Sequence, residues 1–242
     1  GDFGGPRGNM TSHAIATFAL CEAYATTKDK ELLAPAQMGI NFIAAQQDKK
    51  LGGWSGDPMA RPYVVTTTWQ LLALKSAHRA YLNVSKHTVL GAMKFLDNVQ
   101  LEKGAAYPNA AGKRAHRATA AGLLSRMMLG WKRTNPQIVK GLNAVGNGGP
   151  KPHDVVANYF AHELHSACLG ETWKPWWQSI TKQLHESQTA DGYAAGSWRS
   201  AEDVSFARGG AIQQTALNIL ILSTYRDPLP IRGHDGEDEF PL

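Results

Sequence analysis

Phe42-Ile43-Ala44-Ala45-Gln46-Gln47-Asp48-Lys49-Lys50-Leu51-Gly52-Gly53-Trp54 runs from an apolar helix end into a Gln, a short polar loop and then Gly-x-Trp. The pattern returns in weaker form where Phe95-Leu96 leads to Gln100, Gly104 and Tyr107. It returns again where Leu184 leads to Gln188, Gly192-Tyr193 and Gly196-Ser197-Trp198. A recurrence at tens of residues marks a repeat architecture. Each part has a physical job. Gly permits the tight, often left-handed turn that ends a helix. Gln can bond helix-end carbonyls that otherwise lack partners. The aromatic ring gives a broad flat surface that can cap the next helix pair.

Working outward, the chain reads as helices. The expected spans are Met10 to Thr27, Lys30 to Gln47, Val64 to Leu82, Lys86 to Leu101, Ala115 to Lys132, Pro136 to Val145, Asp154 to Leu169, Trp173 to Gln188 and Gly210 to Tyr225. Apolar residues recur at helical spacing, as in Leu32, Leu33, Ala36, Ile40 and Ile43. Thr11 or Ser12 is the expected N-cap of the first helix. Pro136 suits a first helical position. Val64-Val65-Thr66-Thr67-Thr68 has β-propensity, but the run Trp69 to Ala80 keeps helical spacing and overrules a strand. Ser12, Thr68, Thr119 and Thr215 stand at like places in the odd-numbered helices, which are richer in small residues and suit an inner, crowded layer. The expected fold is all-α, stacked helical hairpins over residues 1–228. An acidic tail, 229–242, contains Asp235-Gly236-Glu237-Asp238-Glu239.

The chain has 242 residues, 43% hydrophobic and 19% charged, enough for a buried core and unlike a disordered chain. A net charge of +5 is mild and does not demand nucleic acid. No apolar run approaches the roughly 20 residues of a membrane span. Gly1-Asp2-Phe3-Gly4-Gly5-Pro6 reads as a loop of a longer protein, with any targeting signal expected upstream. Cys21 and Cys168 sit in apolar helical patterns and are expected as inert buried thiols.

The Gln-loop-Gly-x-Trp repeat, the hairpin alternation and the last helix opening Gly209-Gly210-Ala211-Ile212-Gln213-Gln214-Thr215-Ala216-Leu217 resemble the prenyltransferase and squalene-oxidase repeat family. Its members include triterpene cyclases and protein prenyltransferase β subunits. The resemblance implies an α/α toroid, here smaller or incompletely closed, with inner helices around a central cavity. It implies function much less. The cyclase Asp-x-Asp-Asp acid does not occur. Neither cysteine has an Asp two residues before it, as a prenyltransferase zinc site requires. Cys168-Leu169-Gly170-Glu171 is not the Cys-Gly-Glu-Gln of thioester domains.

Two constellations remain. His162-Glu163-Leu164-His165 puts two imidazoles on one helix face, a spacing that can chelate a metal. A third ligand, His116 or His13, would have to come from another helix, so no metal or other cofactor is expected. Basic residues also recur at the starts of the odd-numbered helices: Arg7, Arg61, Arg114, Arg117 and Arg208, with Lys151 and His153 at the seventh. If those helices form one ring, their positive dipole ends and guanidinium groups share a cavity mouth suited to phosphate, diphosphate or carboxylate. Trp69, Tyr159, Phe160 and His162 are the candidate cavity lining, and Trp173, Trp176 and Trp177 are assigned to packing or an outside partner.

Three functions stay open. One is a binding or scaffold module for an anionic, isoprenoid-like or protein partner. The second is an enzyme acting on an isoprenoid diphosphate or, lyase-like, on an acidic polysaccharide through Arg117, His116, His162 and Tyr159. The third is a purely structural repeat domain. A glycoside hydrolase needs two facing carboxylates. Asp154 and Glu163 are inner-helix acids, and Glu22 lies far along the first helix.

Overall fold

The computed structural model describes residues 2–3, 9–56, 60–223 and 240, without the side chains of residues 206 and 208. Among them are nine α-helices and no named strand: α1 Met10–Thr27, α2 Lys30–Ala45, α3 Val64–Arg79, α4 Lys86–Val99, α5 His116–Met128, α6 Pro136–Asn147, α7 Val155–Cys168, α8 Trp173–Ser187 and α9 Phe206–Ser223. A 3₁₀ turn, Glu102–Gly104, sits between α4 and α5. The Val64–Thr68 run is helical. The Gly209-Gly210 start of the last helix is a kink inside α9, where Gly210 stands at φ 56, ψ −157 and regular helix resumes beyond it. The cap of α1 is not Thr11 or Ser12 but Asn9. Its backbone is extended and its side-chain oxygen accepts from the Ser12 amide, so the cap stands just before Met10, where the helix was expected to start and does.

The helices form two layers. Each odd-numbered helix packs on the next odd one, from α1 through α3, α5 and α7 to α9, while α2, α6 and α8 pack on α1, α5 and α7. Burial follows. Every residue of α3 except His78 and Arg79 is buried, and every residue of α7 except Ala167, whereas α4, α6 and α8 bury only one stripe. The stripe of α6 shows the pattern: Ile138, Leu142 and Val145 recur at helical spacing.

Hydrogen bonds fix the direction of the inner helices. Thr11 meets Thr66 near the starts of α1 and α3, and Glu22 meets Ser76 near their ends. Thr68 meets Ser125 between α3 and α5, Arg117 pairs with Asp154 at the starts of α5 and α7, and Cys168 meets Met127 at their ends. Near-constant offsets between partners mean that α1, α3, α5 and α7 run parallel, with their N-termini at one end of the layer.

One clamp is repeated to achieve this. The Trp54 amide donates to Thr67 Oγ1 (3.2 Å), the Tyr107 amide to Thr119 Oγ1 (3.1 Å) and the Trp198 amide to Thr215 Oγ1 (3.1 Å). Thr67, rather than its neighbour Thr68, is therefore in register with Thr119 and Thr215. Thr68 turns its hydroxyl to Val64, Ala121 and Ser125 instead. Thr67 and Thr119 are the fourth residues of their helices. The fourth residue of α7, Asn158, grips the backbone N–H and C=O of Lys151. The fourth residue of α1, His13, accepts from the Phe3 amide and stacks on the Phe3 ring. The repeat is thus present at all five inner helices, although the aromatic–Thr pair is spelled out at only three.

The Gln and Trp roles differ from the simplest expectation. Gln47 Nε2 donates to the Gly52 carbonyl in its own loop (2.7 Å) and to Thr88 O in the first turn of α4 (2.9 Å), rather than to the end of α2. The helix-end carbonyl is served by the indole: Trp54 Nε1 donates to Ile43 O (2.8 Å), and Trp198 Nε1 to Leu184 O (2.9 Å). The Trp54 turn therefore ties α2 both to its own loop and to α4, whereas Gln188 Nε2 closes only its own loop, on Gly196 O. No helix among the described residues is long and apolar enough to cross a membrane. The acidic 229–242 tail lies outside the described residues except for Phe240.

Candidate functional site

The parallel inner helices give the molecule two chemically distinct ends. The N-terminal end holds the basic candidates, but they are not all available. Arg117 Nε donates to Asp154 Oδ2 (3.0 Å) and its Nη2 lies 2.6 Å from Oδ1, a two-point pair between the starts of α5 and α7. Asp154 also caps α7 through the Ala157 amide. Arg114 pairs with Glu102, which holds Lys140 as well. Arg61 is exposed beside the start of α3. The side chain of Arg208, and Arg7, lie outside the described residues. His153 is exposed near Glu202 (3.1 Å).

His116, at the first position of α5, is partly buried and its Nε2 donates to Val145 O (3.2 Å), which fixes the tautomer with the proton on Nε2. Burial, then the Lys151 charge, holds its pKa below the usual imidazole range. A cavity of about 420 Å³ opens at this end against α1, lined among others by Met10, His13, Phe42 and Gln46 and by the carboxylates of Asp2 and Asp48. Ala60 and Pro62, which flank Arg61, line it too. His13 forms its floor. Its Nδ1 accepts from Phe3, so Nε2 carries the proton and donates to Gly39 O (3.0 Å), and burial keeps its pKa low.

The proposed lining residues are assembled in the packed interior. Trp69 stacks on Tyr159 with ring centroids 5.3 Å apart at 7°, and Phe160 tilts against both. The Tyr159 ring is buried, and its hydroxyl has no hydrogen-bond partner among the described residues. Burial raises its pKa far above the ordinary value, and the nearby carboxylates Glu163 and Glu22 push the same way. Glu163 lies one turn beyond Tyr159 and is 2% exposed, while Glu22 accepts from Ser76 Oγ at 2.5 Å. Glu22 therefore does reach the inner layer's interior. Its distance along α1 conceals this in sequence, because only the parallel pairing of α1 with α3 brings it level with Ser76.

The two histidines of α7 diverge toward different tryptophans of α8. His162 packs against Trp173 and Trp177, and His165 stacks on Trp176 with centroids 4.7 Å apart at 9°. His165 Nδ1 also meets Thr172 Oγ1 at 3.1 Å. Among the described residues no three His, Cys, Asp or Glu side chains gather as a metal site. Both thiols are buried and pushed up, to about 12 at Cys21 and about 11 at Cys168.

His165 makes the fold acid-sensitive. Burial first, then the His116 charge, lowers its pKa from 6.5 to about 4. Below pH 6.5 the unfolded chain takes up a proton that the folded chain refuses until about pH 4. Stability is therefore lost as pH falls through that window. His165 alone accounts for about 3 kcal/mol of the loss. Chemical denaturation at pH 7 and pH 4.5 should show a steep drop in the wild type. His165→Phe, which keeps a ring on Trp176, should remove roughly 2–3 kcal/mol of that drop and leave the shares of His13 and His116, whose pKa values burial also lowers; an unchanged slope would mean His165 protonates freely in the fold.

Sequence reasoning missed one further group. Arg126, 2% exposed, donates to Tyr107 Oη (2.7 Å) and Gln100 Oε1 (3.1 Å), pairs with Asp97 (2.7 Å) and lies over Trp131. It is the staple of the second Gln–aromatic repeat, and a basic residue within the apolar run of α5 was its only signal. No protein-family model matches the chain, and neither a curated protein nor a solved structure does.

Proposed function

We propose that the chain is a helical-repeat binding module of the α/α-toroid kind, an arc of hairpins akin to those of cyclase-type proteins. Its ligand is anionic or amphiphilic and enters where the inner helices begin. The observation that carries this reading is the common direction of α1, α3, α5 and α7, which gathers their positive dipole ends at one face. Exposed Arg61 stands at that face, and Phe42 gives the adjoining cavity an apolar wall. Arg114 and Arg117 already hold carboxylates, so the anion's partners are Arg61 and the helix starts, with Arg117 serving as a clamp between α5 and α7.

Thermal unfolding with farnesyl diphosphate, inorganic pyrophosphate and polygalacturonate tests it. A ligand at a hundred times its dissociation constant stabilises the folded state by about 2.7 kcal/mol, a rise of about 5–10 °C for a domain of this size. Arg61→Glu should cut the rise by at least half. No rise with any of the three removes the anion, and a rise untouched by Arg61→Glu moves the site elsewhere.

One observation favours the enzyme reading, action on an isoprenoid diphosphate or an acidic polysaccharide. The Glu22 and Glu163 carboxylates lie near enough to the buried Tyr159 to help raise its pKa, and paired carboxylates are groups that general acid–base catalysis uses. Release of reducing ends or of inorganic pyrophosphate from the same probes separates it from simple binding.

A further inference from the structure

The inner layer ends at α1 on one side and at α9 on the other. Among the described residues each of these packs on one inner neighbour, whereas α3, α5 and α7 pack on two. The clamp gives all five helices a common register, in which His13, Thr67, Thr119, Asn158 and Thr215 are equivalent. One residue past the clamp, Ala14, Thr68, Ala120 and Tyr159 are buried, but Ala216 of α9 is exposed. Six residues past it, Ala73, Ser125, Leu164 and Ile221 are buried, but Ala19 of α1 is exposed. Ile219 (51% exposed) and Ile15 (36%) extend these two bare stripes, each at a register position that is buried in every other inner helix. The same positions meet where α3 packs on α5. Thr68, one past its clamp, reaches Ser125, six past its own, at 2.9 Å, and the carbonyl of Ala121, two past, at 3.2 Å. The stripe bared on α9 is thus the face with which an inner helix holds its successor, and the stripe bared on α1 is the face that receives a predecessor. Neither stripe is charged. Gly209 to Ser223 contains no charged residue, and Glu22, the one acid of α1, is bound to Ser76 on the α3 side. Helices this apolar all round are built for burial on both sides.

We propose that the chain stacks head to tail on a second copy of itself, α9 of one copy seated against α1 of the next as α3 is seated against α5. Ala216 then takes the place of Thr68 and Ala19 that of Ser125, and the inner layer continues from copy to copy. Such a contact joins two different faces, so it adds copies in an open row unless the arc closes into a ring. It does not rest on the anion reading, whose face is the N-terminal end of the layer.

Sedimentation velocity of the full chain over a concentration series tests it, with Ala19→Glu and Ala216→Glu as the two variants. The wild-type mass should rise with concentration past that of two chains. Each variant puts a charge on one bare stripe of a folded copy and should weaken association by about tenfold or more. Mixed together, the two should recover a single junction, because the first keeps its α9 face and the second its α1 face, and growth should stop at two copies. A wild-type chain still monomeric at about 1 mM overturns the proposal. So does either variant that assembles as the wild type does, since an α9-on-α9 or α1-on-α1 contact would spare one of them, and so does a mixture that stays monomeric. Should a glutamate variant fail to fold, the full chain carrying both Ala19→Cys and Ala216→Cys keeps the question open to refutation. Under a mild thiol oxidant it should give disulfide-linked dimers and longer rows, and a link confined to one chain, or no link, refutes the stacking.

Discussion

Trp54→Ala is expected to lose about 3–5 kcal/mol of folding stability, the range for emptying a fully buried indole site. The residue is 1% exposed and joined at three points. Its indole N–H serves Ile43 O at the end of α2, its amide reaches Thr67 in α3, and its carbonyl accepts from the Tyr63 amide that precedes α3. Truncation keeps the backbone bonds but leaves a cavity between an outer and an inner helix. It also leaves the Ile43 carbonyl buried without its donor, a penalty of about 1–3 kcal/mol that forms part of the total. Trp54→Phe separates the two: it keeps an apolar ring and loses the N–H, so it should lose clearly less than Ala. Urea unfolding of the three chains reads this directly. A loss below about 1 kcal/mol for Trp54→Ala would mean the loop refills the space and the Gly-x-Trp turn is not what holds the hairpin.

The all-helical fold was legible because its signals are local. Helical spacing of apolar residues and the Asn135-Pro136 start each act within a turn or two of chain. The repeat was legible too, but only in its three louder copies. At α7 the clamp uses Asn158 on the Lys151 backbone, and at α1 it uses His13 on Phe3, so the same geometry is met with unrelated side chains. A pattern of residue types cannot reveal a position whose conserved property is only the ability to reach back to a loop. The site was harder still. Arg117 looks like an anion ligand in sequence, and its occupation by Asp154 depends on α5 and α7 starting side by side. Glu22, Tyr159 and Glu163 are brought toward one another by the pairing of α1 with α3 and the stacking of Trp69 of α3 on Tyr159 of α7, and no spacing along the chain encodes that.

The turn's glycine gives the second large effect. Gly52→Ala is expected to lose about 3 kcal/mol or more, from two causes that add. Gly52 stands at φ +84, where an L side chain is strained, and an alanine Cβ would come to 2.1 Å from the Gly91 carbonyl oxygen of α4. The obstacle is backbone, so no side chain can rotate away, and the loop or α4 has to shift. Either movement pulls Gln47 from Gly52 O or from Thr88 O, the two bonds that tie this turn to the neighbouring outer helix. Gly112→Ala is the matched control. Gly112 stands at φ +76 but has open space where its Cβ would go, so it should lose only the conformational share, about 1 kcal/mol. The difference between the two variants in urea unfolding measures the close approach of the Gly-x-Trp turn to α4. Equal losses would mean that α4 yields without resistance, and that the outer helices are held by their inner partners alone.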